Sequence, residues 1–278
     1  MSVLRRERAF AKVNLLLHVG ATRADGLHEI CSLFASLELA DELVVARGDG
    51  SDSVHCPGVE GPNLVATALA AFRRDSAAEL PALSVSISKL IPIAAGLGGG
   101  SADAAAALRA ANELSGRPLD AGALRALGAR VGADVPSQVE PRHALVTGAG
   151  EHVEPLALPA MALVLVPRAP GLRAGEVYAE ADRLGATRAR LDPDRVRELA
   201  RAPLDELATG LENDLEAAVL SLRPQLERPL RALRHAGALA ALVTGSGPTL
   251  FGVFDDRAGA AAAAARVPGA VVAMVRPS

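Results

Sequence analysis

The sequence predicts an α+β protein with two domains, and three observations support this fold class. Apolar runs typical of strands are mixed with segments of helical periodicity, without the regular strand–helix–strand repeat of a doubly wound sheet. The chain has 278 residues, half of them apolar, which is enough for one large core or two smaller ones. The pattern changes at EPLALPA (154–160), a stretch typical of a linker. We therefore predict domains at 1–156 and 157–278.

The N-terminal half contains the most regular strand of the sequence. Residues 83–89, LSVSISK, alternate strictly between apolar and polar side chains, as expected for a strand with one buried face. This strand leads into a glycine-rich stretch and then into an alanine-rich helix that ends before Gly116 and Pro118. The other elements predicted in this half are strands at 9–20 and 36–46 and helices at 62–75 and 120–132.

The C-terminal half is predicted to be mainly helical around a few short strands. The segment MALVLVP has the continuous apolar character of a buried strand. Two further strands flank the sequence TGSGP at 244–248. The elements predicted in this half are strands at 161–167, 238–243, 249–254 and 270–275 and helices at 175–184, 193–209, 212–221, 225–236 and 257–266.

Charge and composition exclude several classes of protein. The net charge of −3 argues against a nucleic-acid or anionic-membrane surface, and no apolar stretch is long enough to span a bilayer. The N-terminal apolar run is too short for a signal peptide. The two cysteines, Cys31 and Cys56, do not form a CxxC pair. We therefore expect a cytoplasmic protein that binds neither nucleic acid nor membrane.

The stretch IPIAAGLGGGSADAAAA (91–107) places four glycines within five residues, between a strand and a helix. Glycine lets main-chain N–H groups turn towards an anion, and a helix N-terminus adds unpaired donors and the positive end of its dipole. We therefore predict a phosphate-binding loop, with Ser101 as the N-cap of the helix and Asp103 in its first turn. The alternative is a tight turn that only packs main chain against main chain.

Two common phosphate loops do not fit this stretch. A Walker A loop ends in Gly-Lys-Ser/Thr, and a dinucleotide-binding fingerprint has a third glycine where Ser101 stands. The loop contains no cation, so positive charge for a triphosphate has to come from elsewhere. Only Lys12 and Lys89 are lysines among the 29 basic residues, and both are candidates for this charge.

Segment 92–103 resembles the phosphate loop of the GHMP kinases, the superfamily of galactose, homoserine, mevalonate and phosphomevalonate kinases. Further segments are similar to those of one branch of this superfamily and lie in its order. They are AKVNL (11–15), RADGLHE (23–29), GADVP (132–136), NDLE (213–216) and TGSG (244–247). The first two together indicate the branch that acts on a cytidine diphosphate derivative of methylerythritol.

The resemblance implies a two-domain GHMP kinase fold with the active site in the cleft between the domains. It also implies transfer of the γ-phosphoryl group of ATP to the 2-hydroxyl of 4-diphosphocytidyl-2-C-methyl-D-erythritol, in the non-mevalonate isoprenoid pathway. The expected partners are small molecules. Mg²⁺ would arrive with ATP, and Ser101 is a candidate ligand whose role the sequence does not decide.

The resemblance also assigns residues to the ATP site. The glycine-rich loop supplies most of them, and Asn63 and Lys89 resemble positions close to the adenosine. The alternative for these two residues is a solvent-facing position. The loop residues are Pro92, Ile93, Ala94, Ala95, Gly96, Leu97, Gly98, Gly99, Gly100, Ser101, Ala102 and Asp103.

The resemblance places Lys12 and Asp134 at the catalytic centre, and they are the predicted catalytic pair. Phosphoryl transfer to an alcohol requires removal of a proton, orientation of the attacking oxygen and neutralisation of phosphate charge. A carboxylate can accept the proton, and a neighbouring lysine keeps that carboxylate ionised. Their alternatives are a strand lysine that extends to solvent and a turn carboxylate at a helix end.

The predicted substrate-binding residues follow from the same resemblance. Leu27 stands where the family usually has a tyrosine that stacks on cytosine, so we expect an apolar contact in place of a stacked ring. His28 is expected to bind the cytosine edge, and Tyr178, the only tyrosine, to cover the base. The complete predicted set is Asn14, Leu27, His28, Tyr178, Gly245, Ser246 and Gly247. Two further departures from the family, Ala102 for serine and Ser137 for phenylalanine, concern local loop packing.

Two other functions stay open on the sequence alone. The chain could phosphorylate a different alcohol, such as mevalonate or homoserine, although the RADGLHE segment favours a substrate with a nucleobase. It could also bind nucleotide without catalysis, although the presence of Lys12 and Asp134 argues against this. A zinc site at His28 with Cys31, or at His55 with Cys56, matches no standard spacing.

Overall fold

The computed structural model describes residues 3–76 and 79–277, which form two β-sheets with helices packed on them. The strands are β1 (Val3–Thr22), β2 (His28–Arg47), β3 (Ser53–His55), β4 (Leu83–Ser88), β5 (Ala144–Gly148), β6 (His152–Pro155), β7 (Ala162–Val166), β8 (Ala240–Val243), β9 (Leu250–Phe254) and β10 (Val271–Met274). The helices are α1 (Leu64–Ser76), α2 (Gly99–Leu114), α3 (Ala121–Ala129), α4 (Val135–Val139), α5 (Ala174–Leu184), α6 (Pro193–Ala200), α7 (Leu204–Thr209), α8 (Glu216–Leu222), α9 (Glu227–His235) and α10 (Arg257–Ala264), with a 3₁₀ turn at Pro224–Leu226. The predicted α+β class is confirmed.

Two 20-residue strands, β1 and β2, form a long antiparallel ribbon that organises the first sheet. Since β1 occupies one edge of β2, the other edge pairs with two different strands along its length. Residues 42–47 of β2 pair with β4, and residues 30–34 pair with β5. Strands β3 and β6 complete the six-stranded sheet, β3 by a parallel pairing with β4.

The second sheet is antiparallel, with the order β10-β7-β9-β8. Two single bridges join the ribbon to the second half of the chain: Leu37 with Val275, directly after β10, and Leu17 with Asn213, between α7 and α8. One apolar core contains side chains from both sheets, including Leu33 and Leu163. A second core lies between the first sheet and α1 and α2, and a third between the second sheet and α5, α8, α9 and α10.

Helix α2 fixes the position of the glycine-rich loop because the helix itself is deeply buried. Nine of its residues between 102 and 111 are alanine, leucine or aspartate side chains with almost no exposed surface. Alanine keeps high helix propensity and lets α2 lie close to α1, α4 and the ribbon. The N-terminus of α2 is therefore held in place by the core of the protein.

Several elements differ from the sequence-based expectation, each for a local reason. Strand β1 begins at Val3, well before residue 9, because an arginine-rich segment pairs with the end of β2. The short strands β3, β5 and β6 were not predicted. The helix expected at 193–209 is two helices, α6 and α7, because Pro203 cannot continue a helix.

The division of the chain at residues 156 and 157 stays a prediction. Within residues 3–76 and 79–277, no helix has the length and hydropathy that crossing a bilayer requires.

Candidate active site

The glycine-rich loop turns the chain from β4 into α2 through left-handed glycines. Gly98 is the N-cap of α2, with φ 71°, and its carbonyl accepts the first helical hydrogen bond from Ala102 N at 2.8 Å. The prediction that Ser101 caps the helix is therefore wrong: Ser101 is the third helical residue. A left-handed glycine makes the turn without a side-chain cap, and it leaves the N–H groups of the first helical turn directed out of the helix.

Two glycines of the loop have neighbours that leave no space for a side chain. A Cβ atom on Gly96 would lie 2.7 Å from the carbonyl oxygen of Gly247, and one on Gly98 would lie 2.9 Å from Cγ of Lys12. Both residues also have positive φ. The loop is thus packed against the TGSG turn on one side and against a predicted catalytic lysine on the other.

A cleft of about 340 Å³ opens over this loop. It is lined by residues 92–101, and by Asn63, Lys89 and Asp103, so it brings together all but one of the residues predicted to bind ATP. The exception is Ala102, whose side chain faces the core. Asn63 also caps α1, since its Oδ1 accepts from Val65 N at 2.9 Å.

Lys12 and Asp134 lie in contact beside this cleft. Lys12 Nζ is 3.2 Å from Asp134 Oδ2, with side-chain exposures of 6% and 34%. The ammonium also lies over the Phe34 ring, 4.7 Å from its centroid, and the main-chain N of Lys12 donates to Leu97 O of the loop at 3.0 Å. The lysine is therefore almost enclosed, whereas the carboxylate is partly exposed.

Asp134 directly precedes α4, but its carboxylate makes no capping hydrogen bond. Its main-chain carbonyl accepts from the Ser137 hydroxyl at 2.8 Å, which fixes the main chain at this point. The carboxylate thus sits on a rigid support, and among the described residues its ion-pair partner is Lys12.

Asn14 connects the lysine to the TGSG turn. Its Oδ1 accepts from Lys12 Nζ at 2.6 Å, its Nδ2 donates to Ser32 Oγ at 2.9 Å, and its main-chain N donates to Thr244 Oγ1 at 2.8 Å. A Cβ atom on Gly245 would lie 2.9 Å from Asn14 Oδ1. The amide therefore orients Lys12, a role that the sequence did not indicate.

Asn213, from the NDLE segment, supports the same turn. Its Nδ2 donates to the carbonyls of Val243 and Gly245, both at 2.9 Å. Ser246, between the two glycines of the turn, is half-buried. The predicted turn residues Gly245, Ser246 and Gly247 are thus held against the catalytic pair and the loop.

Lys89 lies on the other side of the loop, between two buried carboxylates. Its Nζ is 2.5 Å from Asp41 Oδ2 and 2.8 Å from Asp103 Oδ2, with exposures of 11%, 0% and 5% for the three side chains. Asp41 Oδ1 also accepts from the main-chain N atoms of Leu90 and Ile91. Asp103 is in the second turn of α2, so its predicted role in the first turn is wrong.

The charges of this buried group perturb one another. Burial raises the pKa of Asp103 to about 7, against the effect of Lys89. For Lys89, burial alone would lower the pKa, but the two carboxylates raise it above its usual value. Among the residues that the structure describes, Asp103 Oδ1 is buried and has no hydrogen-bond partner. Sequence reasoning missed Asp41, although an acidic residue within the apolar strand β2 was a signal.

The predicted cytosine-binding residues gather at the start of β2. The rings of His28 and Tyr178 are 4.9 Å apart with planes tilted by 32°, and His28 Nε2 is 2.9 Å from Asp182 Oδ1. Burial, and then the charge of Asp134, raise the pKa of Tyr178. Leu27 is 52% exposed, free to cover a ligand. Asp182 was not anticipated from the sequence.

Family models match both halves of the chain. The model described as GHMP kinases N terminal domain matches residues 63–140, and that described as GHMP kinases C terminal matches residues 194–273. A 4-diphosphocytidyl-2-C-methyl-D-erythritol kinase from Anaeromyxobacter dehalogenans (strain 2CP-C) is 42% identical over 268 residues, 93% of this chain and 83% of the relative. One from Nocardia farcinica is 40% identical, covering 96% and 90%.

Solved structures agree with these relatives. A 4-(cytidine 5'-diphospho)-2C-methyl-D-erythritol kinase superposes with a TM-score of 0.81 at 32% identity, over 99% of this chain and 100% of the other. A homoserine kinase from Cytophaga hutchinsonii, at a TM-score of 0.73 and 16% identity, shares the fold. The chain therefore belongs to the 4-diphosphocytidyl-2-C-methyl-D-erythritol kinase family of the GHMP kinases.

Proposed function

We propose that this protein transfers the γ-phosphoryl group of ATP to the 2-hydroxyl of 4-diphosphocytidyl-2-C-methyl-D-erythritol. The observation that carries the proposal is the contact between Lys12 and Asp134 at the edge of the glycine-rich loop. Phosphoryl transfer depends on positioning and on charge stabilisation, and this arrangement offers a proton acceptor and a cation directly beside the main-chain donors of the loop.

Asp134 is the proposed proton acceptor. Its carboxylate is partly exposed, at 34%, and is not used to cap α4, so it can accept the proton of the substrate hydroxyl. General-base assistance of this kind contributes about 10²–10⁴-fold to rate. Lys12 keeps the carboxylate ionised and lies ready to balance negative charge as it moves from the attacking oxygen to the transferred group.

The proposed ATP site is the loop cleft. The N–H groups of Gly99, Gly100 and Ser101 precede the first helical hydrogen bond of α2, so they are available to phosphate oxygens. Lys89 is largely committed to its two carboxylates, and we assign it to holding the loop, close to the adenosine end of the cleft.

Mg²⁺ is the proposed metal and would be bound mainly by phosphate oxygens and water, as this ion prefers. The Ser101 hydroxyl lines the cleft and, among the described residues, has no hydrogen-bond partner, so it fits as a protein ligand. When bound, the ion would neutralise part of the polyphosphate charge.

The cytosine is proposed to bind at the start of β2. His28 offers a ring nitrogen whose orientation Asp182 fixes, Tyr178 supplies an aromatic surface, and exposed Leu27 supplies an apolar cover. The diphosphate would then run towards the TGSG turn, with Asn14 close to the erythritol unit. In this role the enzyme serves the non-mevalonate isoprenoid pathway, and we place it in the cytoplasm, where ATP is available.

A coupled assay of ADP release tests the proposal. Turnover with the cytidine substrate is the expected result, and mevalonate and homoserine are the matched alternative acceptors. Turnover with only one of these alcohols would reassign the acceptor, and ATP binding without turnover of any acceptor would remove the catalytic function.

A further inference from the structure

A second cleft, in the C-terminal half, is surrounded by four arginines. It encloses about 580 Å³ and shares no lining residue with the cleft over the glycine-rich loop. Arg168 follows β7, Arg223 and Arg228 stand on either side of the 3₁₀ turn, and Arg266 follows α10. Three separate segments of the fold therefore bring positive charge to one concave surface.

Main-chain carbonyls hold three of these guanidinium groups in place. Arg168 donates to the carbonyls of Pro167 at 3.0 Å and of Pro268 at 3.1 Å. Arg223 and Arg266 donate to one carbonyl each, at 3.3 Å and 2.6 Å. A carbonyl acceptor orients a guanidinium group without cancelling its charge, and each group has five N–H donors, so most donors stay available.

The absence of acidic partners separates this cleft from other arginine sites in the chain. Arg188, for example, pairs with Asp214 at 2.7 Å, and Arg197 pairs with Glu154 at 2.7 Å. Around the second cleft, by contrast, the part of the chain that the structure describes contributes no Asp or Glu to the lining and no ion pair to any of the four arginines. In a chain of net charge −3, this is a local excess of positive charge.

The floor of the cleft is apolar. Leu226 and Val267 are buried there, and Pro229 and Pro268 line the walls. The volume is within the range of about 300–1,000 Å³ that is typical of small-molecule sites. Arginine binds phosphate through paired N–H donors, and the apolar floor suits an uncharged hydrocarbon group.

We infer that the second cleft is a binding site for a small organic phosphate or diphosphate that carries an apolar group. The arginines bind the phosphate oxygens, and the hydrocarbon lies on the floor formed by Leu226 and Val267. This cleft shares no lining residue with the cleft over the glycine-rich loop, so the inference does not depend on the function proposed above. A concave site of this size also favours a soluble molecule over a membrane surface.

Calorimetric titration with hexyl diphosphate tests the inference. The protein is first saturated with ADP, because a diphosphate probe would otherwise also enter the glycine-rich loop. We expect one molecule bound per chain, with affinity that falls as salt is added. Arg223→Gln with Arg228→Gln should weaken binding at least tenfold. Arg257→Gln, at an exposed arginine of α10 outside the cleft, is the matched control and should change nothing.

Arg228→Gln alone guards against loss of folding, since Arg228 is exposed and, within the described ranges, makes no hydrogen bond. It should weaken binding severalfold with an unchanged midpoint of thermal unfolding. Equal affinity in wild type and the double variant would overturn the inference. So would equally strong binding of hexanol, binding seen only without ADP, or binding to phosphatidylglycerol vesicles in place of the soluble diphosphate.

Discussion

The two lysines of the chain lie on opposite sides of the glycine-rich loop, in different electrostatic settings. Lys12 touches the loop at Gly98 and faces one carboxylate, Asp134, that is 34% exposed. Lys89 touches the loop at Gly99 and lies between two carboxylates with exposures of 0% and 5%. Two lysines that contact neighbouring glycines of one loop thus differ in their ion pairs: Lys12 has one partly exposed carboxylate, and Lys89 has two buried ones.

This difference indicates a division of labour. A lysine enclosed by two buried carboxylates has no charge to spare for a ligand, and breaking such a group leaves charges unpaired in the interior. A lysine that faces one partly exposed carboxylate can also interact with a substrate bound next to both groups. We therefore expect Lys12 to govern turnover and Lys89 to govern stability.

The largest expected effect is on turnover. Asp134→Asn and Lys12→Met should each lower kcat by about 10²–10⁴-fold, because the proton acceptor or the balancing charge is lost. ATP affinity should stay close to that of wild type. The ADP-release assay and nucleotide titration measure both quantities. Asp205→Asn, at an exposed carboxylate of α7, is the control, and a near-normal rate in Asp134→Asn would remove that residue from the mechanism.

The next effect is on stability. Lys89→Met should lower the free energy of unfolding by about 3–5 kcal/mol, because Asp41 and Asp103 would remain buried without their cation. Urea unfolding measures the loss. Lys12→Met is the matched control, with a smaller expected cost of about 1–3 kcal/mol, because Asp134 reaches solvent and only the buried Asn14 Oδ1 loses its donor. Addition of Asp103→Asn to Lys89→Met should restore part of the stability. Equal losses in the two lysine variants would contradict the contrast.

A smaller effect concerns pH. The pKa of Asp103 is raised from 3.8 to about 7 in the folded protein, so the folded state binds this proton more strongly than the unfolded chain does. Its contribution to stability is present below pH 3.8 and is lost as pH rises towards 7, by roughly 4 kcal/mol at most. Asp103→Asn removes this dependence.

Urea unfolding of wild type and Asp103→Asn across that pH range measures the effect as a difference between the two proteins. Lys89, whose pKa is raised from 10.5, does not titrate in this range. A difference that stays constant with pH would show that Asp103 is ionised throughout.

The smallest effect is expected at the cytosine end. Leu27→Tyr should lower KM for the cytidine substrate with little change in kcat, because a stacked aromatic contact adds about 0.5–1.5 kcal/mol. Steady-state kinetics measure both constants. Leu222→Tyr, at a partly exposed leucine at the end of α8, controls for general effects of an added tyrosine. A large increase in KM would mean that cytosine binds elsewhere.

Much of the fold could be predicted where local signals are strong. The alternation of residues 83–89 correctly predicted β4, and the alanine-rich run correctly predicted α2. The extent of β1 and β2 could not be predicted. Residues 11–20 of β1 are buried on both faces, which removes the alternation that marks a strand, and the exposed arginines near its start resemble a loop.

The site was predictable only where a short motif carries the chemistry. The glycine run indicated an anion loop by itself. The cap at Gly98 could not be predicted, because it depends on the positive φ of that glycine, whereas Ser101 is of a residue type that commonly caps helices. The group of Lys89, Asp41 and Asp103 could not be predicted, because its members are 14 and 48 positions apart and meet only through the packing of β2, β4 and α2. The orienting role of Asn14 depends likewise on its neighbours in space.

The shared apolar core has a consequence for any attempt to divide the chain. Leu33 and Leu163 belong to the same apolar core, although they come from different halves of the sequence. Fragments divided near residue 156 would each expose apolar surface that is buried in the intact protein. Such fragments are expected to aggregate when expressed alone and to recover solubility when produced together, as two parts of a single cooperative unit.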